Sequence, residues 1–472
     1  MTNNDKNKRF KTGRRGFFKA IGAGGLATGA AIGAGIGAPT LWIPKAHANT
    51  IGFGTAKHLI CIRLSGGFRF PTAFNSDMGE EFSPWGTADG VASGTEWGVG
   101  KLLETTGDWY SEELQQLGVK KFTEVANEVS VISCVDHEPL AGSADGNHAS
   151  GLERYMTGYV KGQNGIFTMI NYGLRERYEL AQMEGVTLLP AIIMGQAGMG
   201  RGTGEYAAYR PPVMRGNDLD RFGFNTDELL PEWARAMTND YDSRYRDVQK
   251  LPHYPTVDAY LQSREATKAY AEIFSSEPLK IANGSEELFD GVSNAQLAQV
   301  FGDSGASRNL RLGLRLFHYG CPAIYLDQGG YDYHSGEETS LPGRLQELTQ
   351  LLSALFWALK TMVHPDGGSY WDHTMVTIGS EFSRSSRGGR FNSARGSDHG
   401  GDYATRWMSM PFFGGPIQAA GRRIGETDPN DLAPLGKVLS YRATMKTMMD
   451  ALGCEHSEFF PADDPFDDLF IA

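Results

Sequence analysis

Carboxylates and imidazoles gather in four short stretches of this chain. GGYDYH (329–334) holds Asp332 and His334 two positions apart, and a strand continuing through them would point both to one face. A carboxylate beside an imidazole suits zinc, manganese or iron and serves equally as an acid–base pair. The plain alternative is an Asx-turn next to a solvent histidine. SDHGG (397–401) sets Asp398 and His399 between small residues, where a loop can wrap both around one ion or Asp398 can cap a helix. GSEFSR places Glu381 just past an apolar run, where an acid needs an ion, a histidine or Arg384 as partner. GNHASGLERYMTG brings His148 to an expected helix start; Ser143 and Ser150 are near, without a Gly-x-Ser-x-Gly elbow to mark a nucleophile. Arg384, Arg387, Arg390 and Arg395 follow one another with no acid between Glu381 and Asp398. Such forks bind phosphate, sulfate or carboxylate, although most charge runs are only solvated.

Short β-branched runs carry these stretches: HLICIRL (58–64), VSVISCV (129–135), PAIIMG (190–195), PAIYLDQ (322–328) and HTMVTIGS (373–380). They alternate with helix-like segments, which predicts an α/β fold with a largely parallel sheet. Leucines every three or four residues predict a helix over 341–363, and SGASRNLRLGLRLFHYG predicts another over 304–320, from a serine to a glycine. Open α/β sheets collect ligands beyond the carboxyl ends of their strands. Nearly every unusual polar cluster lies there. Asp372-His373 precedes its strand and belongs to the opposite rim. Residues 200–300, rich in Tyr, Arg, Asp and Pro, read as an insertion or cap.

The chain has 472 residues and a formal charge of −12. Its first 48 residues combine Arg14-Arg15, a mild apolar run and Ala46-His47-Ala48, the pattern of a cleaved twin-arginine export signal. Removing them takes eight of the 44 Lys/Arg and one of the 56 Asp/Glu, and leaves a chain near −19. That charge repels phosphate backbones and argues against a nucleic-acid partner. The expected location is the periplasm or the exterior, reached through the twin-arginine translocase, with no stable membrane span after cleavage. Cys61, Cys134, Cys321 and Cys454 show no zinc spacing. Buried thiols are expected, with a Cys61–Cys134 bridge as the alternative.

The order of the motifs resembles an uncharacterised exported bacterial family of the alkaline phosphatase/sulfatase clan. The resemblance rests on LSGGFRF, NHASGLERYMTG, GGYDYH, TMVTIGSEFSR and SDHGG, of which the last two are the specific ones. It implies an alkaline-phosphatase-like sandwich over 49–472, with a metal-assisted hydrolytic site at the strand ends. Asp332, His334, Glu381, Asp398 and His399 would hold one divalent ion (Zn, Mn, Mg or Ca). Arg384, and Arg69 with it, would hold an anionic ester, and His148 would serve as acid–base. Two positions depart from the pattern. Arg69 stands where relatives carry Asp, so it either turns outward or replaces one metal by its charge. Asn147-His148-Ala149 replaces a Ser-His-Phe segment and removes the serine. The expected function is hydrolysis of a phosphate or sulfate ester; the alternative is a non-catalytic relative binding an envelope ligand or protein.

Overall fold

All five apolar runs are strands of one nine-stranded sheet in the computed structural model. The description covers 54–76, 83–88, 94–104, 109–137, 147–183, 186–195, 200–216, 273–385, 396–397, 399, 407–428, 433–436 and 438–470, with a few helical residues between 233 and 244. The export segment, Ser143, Asp398, Arg387, Arg390 and Arg395 lie outside the described residues, as does the Cys134 side chain.

The strands are β1 (His58–Ser65), β2 (Val129–Asp136), β3 (Ile192–Met194), β4 (Val213–Met214) and β5 (Ala323–Gly329). Then come β6 (Thr374–Gly379), β7 (Trp407–Phe413), β8 (Arg423–Ile424) and β9 (Leu439–Ser440). Their order is β8-β2-β7-β6-β1-β5-β3-β4, with β9 also beside β2. Only β7 runs antiparallel to its neighbours; every other pairing is parallel. β1, β5 and β6 therefore end at the same rim.

Helices cover both faces. On one, α1 (His148–Thr157), the helix Ile166–Gly173 and the C-terminal helix Tyr441–Ala451 enclose Cys61, Tyr325 and Thr377. On the other, α2 (Gly305–Phe317) lays Gly313 against Ile324, and α3 (Glu337–Thr361) stacks Phe356 on Phe413 at 4.8 Å. Both predicted helices are present. Ser304 caps α2 by accepting from the Ser307 amide, as Ser caps do. α3 begins at Glu337, earlier than the leucine pattern alone indicates, and buries Leu345, Leu348, Leu352, Leu355 and Leu359.

The structure departs from the sequence reading in two places. β7 (WMSMPFF) was not anticipated, because it lacks a β-branched run and contains Pro411. Pro411 is accommodated next to a register shift between Met408 and Met410, just past the two residues that pair with β6. The buried thiols are as expected: Cys61, Cys321 and Cys454 are free and buried, with Cys61 Sγ 3.7 Å from Met448 Sδ, so the alternative Cys61–Cys134 bridge does not form. Part of 200–300 belongs to the sheet rather than to a cap, since Val213–Met214 extends the edge beside β3. Among the described residues no helix is long and apolar enough to cross a membrane.

Candidate metal centre

Five chain segments meet at the rim where β1, β5 and β6 end. After β1, Gly66 turns with φ of 120°, and a Cβ there would lie 2.6 Å from the Asp332 amide nitrogen. Glycine is needed for both reasons. β5 ends at Gly329, so Asp332 and His334 ride on a loop, not on a continuing strand. That loop is tied down by the Tyr331 amide donating to Ser65 O and the Ser397 amide donating to Tyr333 O. Glu381 and Arg384 follow β6, and His399 pairs through a single bridge with Arg384. His148 is the first residue of α1, whose start is fixed by Asn147 Oδ1 accepting from the amides of Ala149 and Ser150.

These segments bring one atom each from His148, Asp332 and His399 within 4.8 Å of one another. His148 Nε2 lies 3.4 Å from Asp332 Oδ2, and His399 Nε2 lies 3.6 Å from Asp332 Oδ1. His334 completes the rim, its Nε2 3.2 Å from His399 Nε2 and 3.3 Å from Asp332 Oδ1. The sequence positions 332, 334 and 399 thus converge as expected, and His148 joins them as a ligand-type group.

Glu381 stands behind the cluster. Its Oε1 accepts from His148 Nδ1 at 3.1 Å and from the Gly66 amide at 2.8 Å, while Oε2 accepts from Ser380 Oγ. A carboxylate on the far nitrogen of a ligating histidine fixes its tautomer and raises its basicity. Glu381 is held on His148 Nδ1 and is not among the three converging groups, and the Glu381–Arg384 pair considered from sequence is absent. Arg384 is fully buried and committed. Its Nη1 donates to Asp332 Oδ1 (2.8 Å) and Gly66 O (2.9 Å), Nε to Ser397 Oγ and Nη2 to Ser397 O. It positions Asp332 instead of presenting itself to an anion. Arg69 turns inward to Glu337, with Nη1 3.1 Å from Oε2 and both side chains 1 % exposed. The outward-turning alternative for Arg69 does not describe this, since the side chain is buried.

Electrostatics sorts the histidines. The Glu381 hydrogen bond holds the His148 imidazole above its ordinary value, against partial burial. Burial, with His148 and Arg384 close by, pulls His399 below. Burial alone would raise the Asp332 carboxyl, but the hydrogen bond and charge of Arg384 outweigh it and leave the carboxyl low and ionised. Glu381 is likewise pushed up by burial and brought down further by His148 and Arg63.

The residues fit a small, borderline-soft cation. His148 Nε2 is a buried nitrogen with no hydrogen-bond partner, aimed at Asp332. Two imidazoles and one carboxylate make a three-ligand set of the kind open zinc sites use, and imidazole favours Zn over Mn, Mg or Ca. Replacing Glu381 by Gln should weaken metal binding about 10- to 100-fold without removing a ligand. Titration of metal-stripped protein with zinc measures this, and unchanged affinity would separate Glu381 from the site.

Sequence reasoning missed the pair behind Glu381. Arg63 Nε and Nη2 bind the two Asp327 oxygens at 2.7 and 3.1 Å, and Arg63 Nη1 lies 3.8 Å from Glu381 Oε2. The signal was present: each is a lone charge inside an apolar run, and the two are in register on β1 and β5.

A mixed, mostly parallel sheet between helices, carrying a His/Asp cluster at its carboxyl rim, defines an α/β protein with a candidate metal centre. Residues 88–466 match the family described as a protein of unknown function (DUF1501), and the chain belongs to that family. No curated protein matches the chain.

Proposed function

We propose that this chain is an exported, metal-dependent hydrolase of the alkaline phosphatase/sulfatase type, acting on a phosphate or sulfate ester. The observation that carries this reading is the convergence of His148, Asp332 and His399 to within 4.8 Å at the carboxyl ends of parallel strands. Export rests on the twin-arginine pattern of the first 48 residues. A bound divalent ion would polarise the ester and lower the pKa of a water. His148, Asp332 and His399 would hold that ion. Glu381 keeps the His148 Nδ1 proton and leaves Nε2 free to ligate; Arg384 keeps Asp332 turned to the cluster. His334, half exposed and 3.2 Å from His399, would pass a proton between its Nε2 and the departing alcohol.

One observation favours the binding-only reading. Arg69 and Arg384, the expected anion holders, are both buried and engaged with carboxylates. Metal analysis of protein purified without chelator, with a panel of phosphate and sulfate esters, decides between them. About one equivalent of metal, lost with all turnover in His399→Ala, is the expected result. No metal and no turnover overturns the hydrolase reading in favour of a ligand-binding protein.

A further inference from the structure

Beside the cluster, an open groove of about 530 Å³ runs between the loop 330–333 and the first turns of α3. We propose that it is the subsite for the alcohol part of the ester, and that it takes a neutral, polyhydroxylated, saccharide-like group. This rests on the hydrolase reading for its orientation, because Asp332 belongs both to the cluster and to the groove wall. A molecule lying in the groove reaches the candidate centre directly. The volume falls among ordinary small-molecule sites, about 300–1,000 Å³.

The lining selects the chemistry. Arg344 Nη1 donates to Glu347 Oε2 at 2.8 Å, and the guanidinium also bonds the Tyr333 side chain. Its charge is answered inside the groove, so an anionic substituent gains little there. Ser340, Glu347, Arg344 and Tyr333 line the groove with side chains that carry both donors and acceptors, the groups that hydroxyls pair with. Among the described residues no aliphatic side chain lines the groove, so an acyl chain finds no partner there.

A second observation is independent of the lining chemistry. Pro342 and Gly343 sit inside α3, where proline removes a backbone donor and glycine costs about 1 kcal/mol relative to alanine. Packing does not require the glycine: a Cβ at 343 would meet no atom within 4 Å. A side chain there would project into the groove. The unfavourable residue keeps the space open.

Saturation-transfer NMR with a panel of neutral methyl hexopyranosides, hexuronates and short fatty acids tests the assignment on wild type, Gly343→Ala, Gly343→Trp and Arg344→Ala. Thermal melts confirm folding, and metal content is measured on the same samples. Neutral glycosides should bind wild type best, Gly343→Ala more weakly, and Gly343→Trp and Arg344→Ala at least about tenfold more weakly. No glycoside binding, preference for uronates or fatty acids, or equal binding by folded Gly343→Trp overturns the subsite. Failure with metal and ester turnover intact removes only the subsite. Groove-dependent glycoside binding by metal-free, inactive protein removes only the hydrolase.

Discussion

Replacing Glu337 by Gln will destabilise the folded chain by about 3–5 kcal/mol, the usual cost of leaving one member of a buried ion pair without its partner. Glu337 is the first residue of α3 and sits against Arg69 with almost no solvent access. Burial raises its carboxyl, and the charges of Arg69 and Arg384 oppose that rise. Ser397 links the two halves, since its hydroxyl reaches Glu337 and accepts from Arg384 Nε. Arg69, Glu337, Ser397, Arg384 and Asp332 form one chain from the base of α3 to the cluster. Losing the carboxylate charge should therefore lower the urea midpoint and also loosen Asp332. The double variant Arg69→Met/Glu337→Leu should recover most of the stability, because a matched apolar pair of similar volume is often neutral or better. A single variant as stable as wild type would show that the pair contributes nothing.

Acidification will destabilise the protein from the far rim of the sheet. His58 Nδ1 donates to Cys321 O at 2.9 Å, so its Nε2 accepts from His364 Nε2 at 3.1 Å, and His364 Nδ1 accepts from the Asp366 amide. Every nitrogen is used with both rings neutral. The nearby Asp366 carboxylate is already paired with Lys57. Burial, then the neighbouring imidazole, holds each histidine well below the ordinary 6.5. Unfolding in acid then takes up protons that the native state refuses. The stability is fully present above about pH 6.5 and is lost as pH falls toward the depressed native values, at about 1.4 kcal/mol per unit per histidine. Unfolding free energies from urea titrations at about pH 7.5 and about pH 5.5 should differ by roughly 3 kcal/mol, and His58→Gln should remove about half of that. A flat profile, or an undiminished one in the variant, would contradict the network.

Much of the architecture was legible. β1, β2, β3, β5 and β6 announce themselves by uninterrupted apolar, β-branched runs, which buried parallel strands require. β7 does not, because its two neighbours, rather than its own composition, hold it extended. The polar clusters after the strands marked the rim correctly, since parallel strands share their ending edge. Pairing within that rim was hidden. Spacing placed Glu381 and Arg384 three residues apart, yet one reaches across to His148 and the other to Asp332. Those choices depend on loops after β1, β2 and β5 arriving together, which no local window contains.

The reversed strand β7 has a consequence for how the candidate centre was assembled. β6 leaves the sheet at the carboxyl rim, and β7, running the other way, re-enters at that same rim. Residues 380–406 are consequently one excursion with both feet planted on the same edge, and Glu381, Arg384 and His399 are all delivered by it. A parallel successor would have needed a crossover to the opposite edge, with covering structure of its own. Here the excursion can lengthen, shorten or change composition while the strands beneath keep their register. Relatives of this chain could in that way reshape the mouth of the site without renegotiating the sheet.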